Sequence, residues 1–238
     1  MTVSIHQPNY LPWLGYFSKL ATVDSFIFFD SVSISNGKTW TSRSQILVNG
    51  DIQWLTLPIL RRGRGGQRIC EVELLDFSHN WHKTLRTLRH AYSKAKYFDV
   101  IFPYLESFEH QGYVFLADFN CQFIEMTSRQ LGLKTNFLRS SSKMELMESS
   151  DLKTDYIVQT CQAFDVQNYV SGSGGSLLFL EKEKFIYAHI NLNFHYFTPK
   201  IYTQLGASKF VEGLSIIDVL MNCGWQGTAM MLSNNNLI

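Results

Sequence analysis

A mostly parallel α/β sheet is the architecture to expect of this chain, for three reasons. The apolar run Val3–Ile5, a stretch of helical spacing and a second apolar run, Phe26–Phe29, give strand, helix, strand within thirty residues. Helical periodicity then fills the middle of the chain. Strand-like and helix-like segments alternate again towards its end. The expected fold is therefore α/β with an N-terminal βαβ unit, an inserted β-hairpin and a helical middle region, as a single domain over residues 1–238.

Each element has a local cause. Gln7-Pro8 ends the first run, and Pro12 supplies the fixed φ suited to a helix start. Leu14, Phe17, Leu20 and Ala21 recur at helical spacing, and the second strand ends at Asp30. Asn49-Gly50 lies between Ser44–Val48 and Ile52–Leu57, and both turn residues tolerate positive φ, so this is a hairpin. Arg61 to Arg68, with four arginines and three glycines, reads as a surface loop and a candidate anion contact. From Ser78, taken as an N-cap, Trp81, Leu85, Leu88 and Tyr92 share one helical face. Further helices are predicted at Pro103–Glu109, at Tyr113–Leu131 closed by Gly132, and at Asp151–Phe164. Strands are predicted at Thr135–Leu138, Val166–Ser171 and Phe185–Ile190, with a last helix at Gly213–Cys223 stopped by Gly224.

The bulk properties narrow the function classes. Of the 238 residues 45% are hydrophobic, 14% aromatic and only 17% charged, which predicts a well-folded chain with aromatic surface left over for a groove or a homodimer face. A net charge of +1 gives no reason to expect a nucleic-acid partner. Cys70, Cys121, Cys161 and Cys223 are widely spaced and read as reduced thiols. The N-terminus lacks a basic flank and a long apolar run, and no stretch reaches the ~18 apolar residues of a membrane span, so a cytoplasmic protein is expected.

In parallel sheets ligands gather beyond the carboxyl ends of the strands. His6, Gln7, Asn9 and Tyr10 follow strand one and Asp30 follows strand two, so all five are expected on one rim. His6 is a candidate catalytic base, or equally an imidazole bonded to backbone. Asp30 is a candidate to orient it or to bind a sugar hydroxyl, or equally a turn cap. Arg43, three residues after Trp40, is a candidate phosphate contact, or else a guanidinium stacked on an indole. Ser171 opens a serine- and glycine-rich turn, Ser171–Ser176, suited to a phosphate but without a P-loop lysine. Ser215 and Asp218 form an S-x-x-D pair that reads first as local capping. His189 and His195 have no third ligand at recognisable spacing, and His79 with His82 reads as a pair without an acidic partner nearby, so no metal is expected.

The stretch Ile5-His6-Gln7-Pro8-Asn9-Tyr10-Leu11-Pro12-Trp13-Leu14-Gly15-Tyr16-Phe17 resembles the opening of the WbqC-like protein family. The resemblance continues through Asp30, Trp40, Arg43, Trp54–Pro58, Tyr169–Gly172 and Leu214–Asp218, and it adds Trp13 and Gly15 to the candidate binding residues. It implies a role in bacterial O-antigen or related surface-polysaccharide biosynthesis. A second resemblance is architectural: strand, glycine-containing helix start, then a strand ending in Asp is similar to the HUP-type nucleotide-binding folds. Trp13-Leu14-Gly15-Tyr16 stands where those folds carry His-x-Gly-His, with the glycine kept and both histidines missing.

Together these readings favour an enzyme acting on a nucleotide-linked amino sugar, by amide formation or acyl transfer to its amine, with an acyl donor or ATP as co-substrate. The cofactor is left open. A non-catalytic scaffold of the same pathway and a nucleotidyltransferase-like enzyme are the alternatives.

Overall fold

In the computed structural model, which describes residues 1–35, 37, 39–147 and 153–232, five parallel strands form the central sheet. The chain runs β1 (Thr2–His6), α1 (Leu14–Leu20), β2 (Ser25–Phe28), β3 (Arg43–Val48), β4 (Asp51–Thr56), α2 (Phe77–Tyr92), α3 (Phe98–Glu106), α4 (Leu116–Gln130) and β5 (Asn136–Arg139). It continues with α5 (Lys153–Ala163), β6 (Asn168–Gly172), α6 (Ser176–Phe179), α7 (Lys182–Tyr187), β7 (Asn191–His195) and α8 (Ile216–Leu232). The sheet order is β5-β2-β1-β6-β7. Counting only its own strands, that is 3-2-1-4-5, the doubly wound order in which the direction of winding reverses between the first and fourth strands.

The period of two along each strand sorts side chains between two cores. Val3, Ile5, Ile27 and Tyr169 point to one face and pack with Ile157, Cys161 and Phe185 of α5 and α7. Phe26, Phe28 and Val170 point to the other face, where α1, α2, α3, α4 and α8 complete the larger core. His6 follows the same alternation to the α1 side, where its ring meets Tyr16 edge-on with centroids 5.0 Å apart. Every residue of α1 is buried, so this short helix is wrapped on all sides.

The hairpin is as the sequence predicts: Asn49 and Gly50 have φ of 53° and 89°, and β3 pairs antiparallel with β4. Three local expectations differ. The N-cap of α2 is Asp76, whose carboxylate accepts the His79 N–H at 3.2 Å, and Ser78 lies inside the first turn. Gly224 bends α8 without ending it. With φ of 68° and the Tyr97 ring 2.7 Å from where a Cβ would stand, only glycine fits this bend.

The predicted strand Phe185–Ile190 is instead helix α7 followed by a turn at His189 (φ 56°) into β7. Phe185 is buried while Ile186 and Tyr187 are 70% and 84% exposed, a burial rhythm that fits a helix and not a two-faced strand. The predicted helix from Asp151 begins at Lys153 among the described residues, and Asp151 itself lies outside them. All four cysteines are free, and no helix among the described residues is long and apolar enough to cross a membrane.

Candidate functional site

The switch point between β1 and β6 opens into a cavity of about 280 Å³ on the α1 side of the sheet. Three parts of the chain wall it: the end of β1 with His6, the α1 segment with Trp13, Gly15, Tyr16 and Lys19, and the turn Gly172–Ser176 after β6. His195 and Phe197, at and after the end of β7, close the far side. Crevices outside the carboxyl ends at such a reversal are where doubly wound sheets hold ligands. A wider groove of about 630 Å³ between the hairpin and α2, with Lys83, Arg86 and His90, is a shallow surface feature away from the strand ends.

The electrostatics of the cavity are unusual for so polar a lining. The Lys19 side chain is 4% exposed and has no carboxylate partner among the described residues; its ammonium lies 5.7 Å from the Phe26 ring centroid. Burial alone lowers its pKa to about 7. Burial first, and the nearby Lys19 charge second, lower His6 to about 3 and His195 to about 4. Both imidazoles are therefore neutral near pH 7.

Hydrogen bonds fix how these groups can act. The Gln7 carbonyl can only accept, so His6 donates to it through Nδ1 at 3.1 Å and keeps its Nε2 lone pair free as an acceptor. The same carbonyl accepts the Tyr16 hydroxyl at 3.0 Å, which ties the β1 end to α1. His195 Nε2 lies 2.9 Å from Ser18 Oγ. Gly15 has a steric role: a Cβ there would run into the Trp13 indole, which folds back over the helix and packs edge-on to Phe197 at 5.2 Å.

Of the residues singled out in the sequence, His6, Trp13, Gly15 and the Gly172–Ser176 part of the serine- and glycine-rich turn line this cavity. Asn9, Tyr10, Trp13, Trp40 and Ser215 surround a neighbouring cleft of about 10 Å³, large enough for little more than one water, where the buried Ser44 hydroxyl has no hydrogen-bond partner. Trp13 forms the wall between cavity and cleft. Gln7 contributes its backbone carbonyl, as described.

Asp30 follows β2 on the same edge of the sheet as His6, but neither it nor Arg43 is among the residues lining this cavity. Asp30 is fully buried, with its carboxylate bonded by Arg139 Nε at 2.6 Å, by the Ser141 N–H and hydroxyl at 2.9 and 2.8 Å, and by the Ser140 hydroxyl at 3.2 Å. It is drawn there because β5, which ends at Arg139, pairs with β2 on the side away from β6. Arg43 stacks its guanidinium 3.7 Å above the Trp54 ring, and Trp54 packs against Trp40. Ser171 is buried within β6 opposite Phe194. Asp218 accepts hydroxyls from Tyr92 at 2.9 Å and Tyr202 at 2.7 Å and anchors the start of α8, and Ser215 bridges to Trp13.

Lys19 and Phe197 are the cavity residues that sequence reading passed over, and His195 enters it only as a possible metal ligand. The available signal was a lysine inside a short helix whose neighbours are nearly all apolar, which in an ordinary amphipathic helix marks the wet face.

Fold and site define a doubly wound α/β protein with a polar, acid-free cavity at its topological switch point. The chain belongs to the WbqC-like protein family, which it matches over residues 7–230. It is 31% identical over 225 residues to the uncharacterized protein Rv1507c of Mycobacterium tuberculosis, covering 93% of this chain and 94% of that protein. No solved structure matches.

Proposed function

We propose that this protein is a cytoplasmic enzyme of bacterial surface-polysaccharide (O-antigen) biosynthesis that acts on a nucleotide-linked amino sugar, forming an amide or transferring an acyl group at its amine. The observation that carries this reading is the His6 imidazole, neutral and with a free Nε2 acceptor, in the lining of the switch-point crevice. In the reaction the sugar amine attacks the acyl carbon, the C–N bond forms as the donor's leaving group departs, and the amine's released proton needs an acceptor. His6 Nε2 is the relay for it: a ring held at about 3 cannot keep the proton and passes it to the departing group, with its direction set by Gln7 and its neighbour Tyr16. The family context supplies the polysaccharide setting, and ATP enters if the acyl group arrives as a free carboxylate that must be activated.

The test is to incubate the purified protein with nucleotide-linked amino sugars and acyl donors, with and without ATP, and to follow product mass. The expected result is an acylated sugar nucleotide that His6→Gln reduces by about 10²-fold or more, the usual scale of a lost general base. No mass change with any pairing would remove the transferase reading.

A second reading, a non-catalytic scaffold of the same pathway, is favoured by the apolar surface past β6, where Leu178, Ile186, Tyr187 and Ile201 are 90%, 70%, 84% and 80% exposed. A scaffold would keep its partner binding and cellular role in His6→Gln, and an enzyme would not. Nucleotidyl transfer has less support, because Trp13 and Tyr16 stand where the HUP-type enzymes carry their histidines.

A further inference from the structure

Two features of the switch-point cavity have no structural explanation. The first is Lys19: an amine at 4% exposure with no acid beside it is a costly thing to bury, and it lines the cavity. The second is the turn opposite. Gly172, Gly174 and Gly175 all have ordinary negative φ, and a Cβ on any of them would meet nothing within 4 Å. Neither backbone conformation nor packing requires glycine at these three positions. With no side chains on them, the main chain of this wall is open to close approach by a ligand.

The lining agrees on the sign of that ligand. The titratable groups facing Lys19 are His6 from β1, Tyr16 from α1 and His195 from β7, with the hydroxyls of Ser173 and Ser176 beside them; no carboxylate is among the lining side chains. Every one of these is neutral or cationic near pH 7. We propose that the Lys19 amine and the main chain of Gly172–Ser176 form a binding site for a phosphoryl group. This rests on the reading above, and it assigns to this cavity the sugar-linked phosphate of the nucleotide sugar. The cavity volume of about 280 Å³ suits a phosphoryl group with part of a sugar, and is at the low end for a whole ligand. The remainder of a nucleotide sugar would extend out past Trp13.

An anion beside Lys19 restores the proton that burial removes. Since burial holds the amine at about 7, binding of an anion above pH 7 takes up a proton from solution.

Isothermal titration calorimetry of the full chain at pH 8, in two buffers of different ionisation enthalpy, tests this with three probes: inorganic phosphate, a hexose 1-phosphate, and a nucleotide diphosphate-linked hexosamine. The expected outcome is binding of all three with net proton uptake, tightest for the probe that matches the natural source. Lys19→Met should weaken every probe at least tenfold and abolish the uptake, while its melting temperature stays at or above that of the parent. Gly174→Val, at an exposed position, should fold normally and also weaken binding. No binding of any probe, or parent-like binding by both variants, would overturn the site. The outcome is separable from that of the reaction: phosphate binding without acylated product keeps the site and removes the transferase, and full product formation by Lys19→Met does the reverse.

Discussion

Two buried charges lie near the carboxyl rim of the same sheet, and they are treated in opposite ways. At the end of β2, Asp30 is wholly enclosed, and its two oxygens accept four hydrogen bonds from Arg139, Ser140 and Ser141. On α1, beside the end of β1, Lys19 is almost as deeply enclosed and has only the distant Phe26 ring. A buried charge whose partners are all inside the protein is complete without a ligand. A buried charge with none is a standing cost, and it points outward to something the folded chain does not itself contain. The contrast assigns Asp30 to the architecture and Lys19 to the site, and it can be broken from either side.

The largest effect is expected at Asp30. Asp30→Ala leaves the Arg139 guanidinium with only the half-exposed Asp118 and strands the Ser141 hydroxyl, while Ser140 keeps Ser31, so it should cost about 3–5 kcal/mol by chemical denaturation. Under native conditions the folded fraction should still bind ligand in the cavity. A variant of parental stability that had lost only activity would reverse the assignment and return Asp30 to the catalytic role its sequence position suggests.

The opposite sign is expected at Lys19. Lys19→Met keeps the shape and removes the amine, so near pH 7 it should stabilise the protein by a few kcal/mol, an order-of-magnitude figure from the linkage of proton binding to folding. The pH dependence follows from the pKa of about 7 in the folded chain against an ordinary 10.5. Between those values the unfolded chain holds a proton that the folded one lacks, so parental stability rises with pH across this window. The Lys19→Met advantage should shrink steadily from pH 7 and vanish near 10.5, as followed by urea midpoints. An advantage that did not change with pH would mean that Lys19 is charged and partnered.

Gly15→Ala is a smaller perturbation, aimed at the wall between cavity and cleft. The added methyl has to displace the Trp13 indole, and overpacking of this kind costs about 1–3 kcal/mol. Tryptophan emission should shift as Trp13 leaves Phe197. Parental emission and stability would show that the indole has another resting place.

What the sequence made legible follows from the range of the interactions involved. The β1-α1-β2 opening and the Asn49-Gly50 turn are set by local chemistry, namely apolar runs, a proline and a residue pair that tolerates positive φ, and both are found where expected. The segment around Phe185 misled because a short apolar run suits helix and strand alike. Its arbiter, the exposure of Ile186 and Tyr187, is a tertiary fact. The site divides in the same way. His6, Trp13 and Gly15 were legible from their place after the first strand, and the Gly172–Ser176 turn from its glycines and serines after an apolar run. Lys19 was hidden because only the completed fold shows that α1 has no wet face, and His195 because it ends a strand whose position was misjudged. Asp30 was legible as a strand end, but its partners are more than a hundred residues away.

The smallest predicted effect is at His6, where it separates a neutral imidazole from a charged one. The ring's pKa of about 3 lies below the ordinary 6.5, because burial and the Lys19 charge both oppose protonation. As pH falls from 6.5 towards 3, the unfolded chain gains a proton that the folded chain resists, and stability drains away across that interval. His6→Gln can retain a donor to the Gln7 carbonyl but cannot titrate, so it should match or fall slightly below the parent at pH 8 and exceed it by about 1–2 kcal/mol at pH 5. Lys19→Met bears on the same quantity from the other side: removing that charge should raise the His6 pKa and shrink the acid-side loss. If His6→Gln tracked the parent at both pH values, the imidazole would be solvated and remote from Lys19, and the neutral acceptor on which the proposed proton transfer depends would be gone.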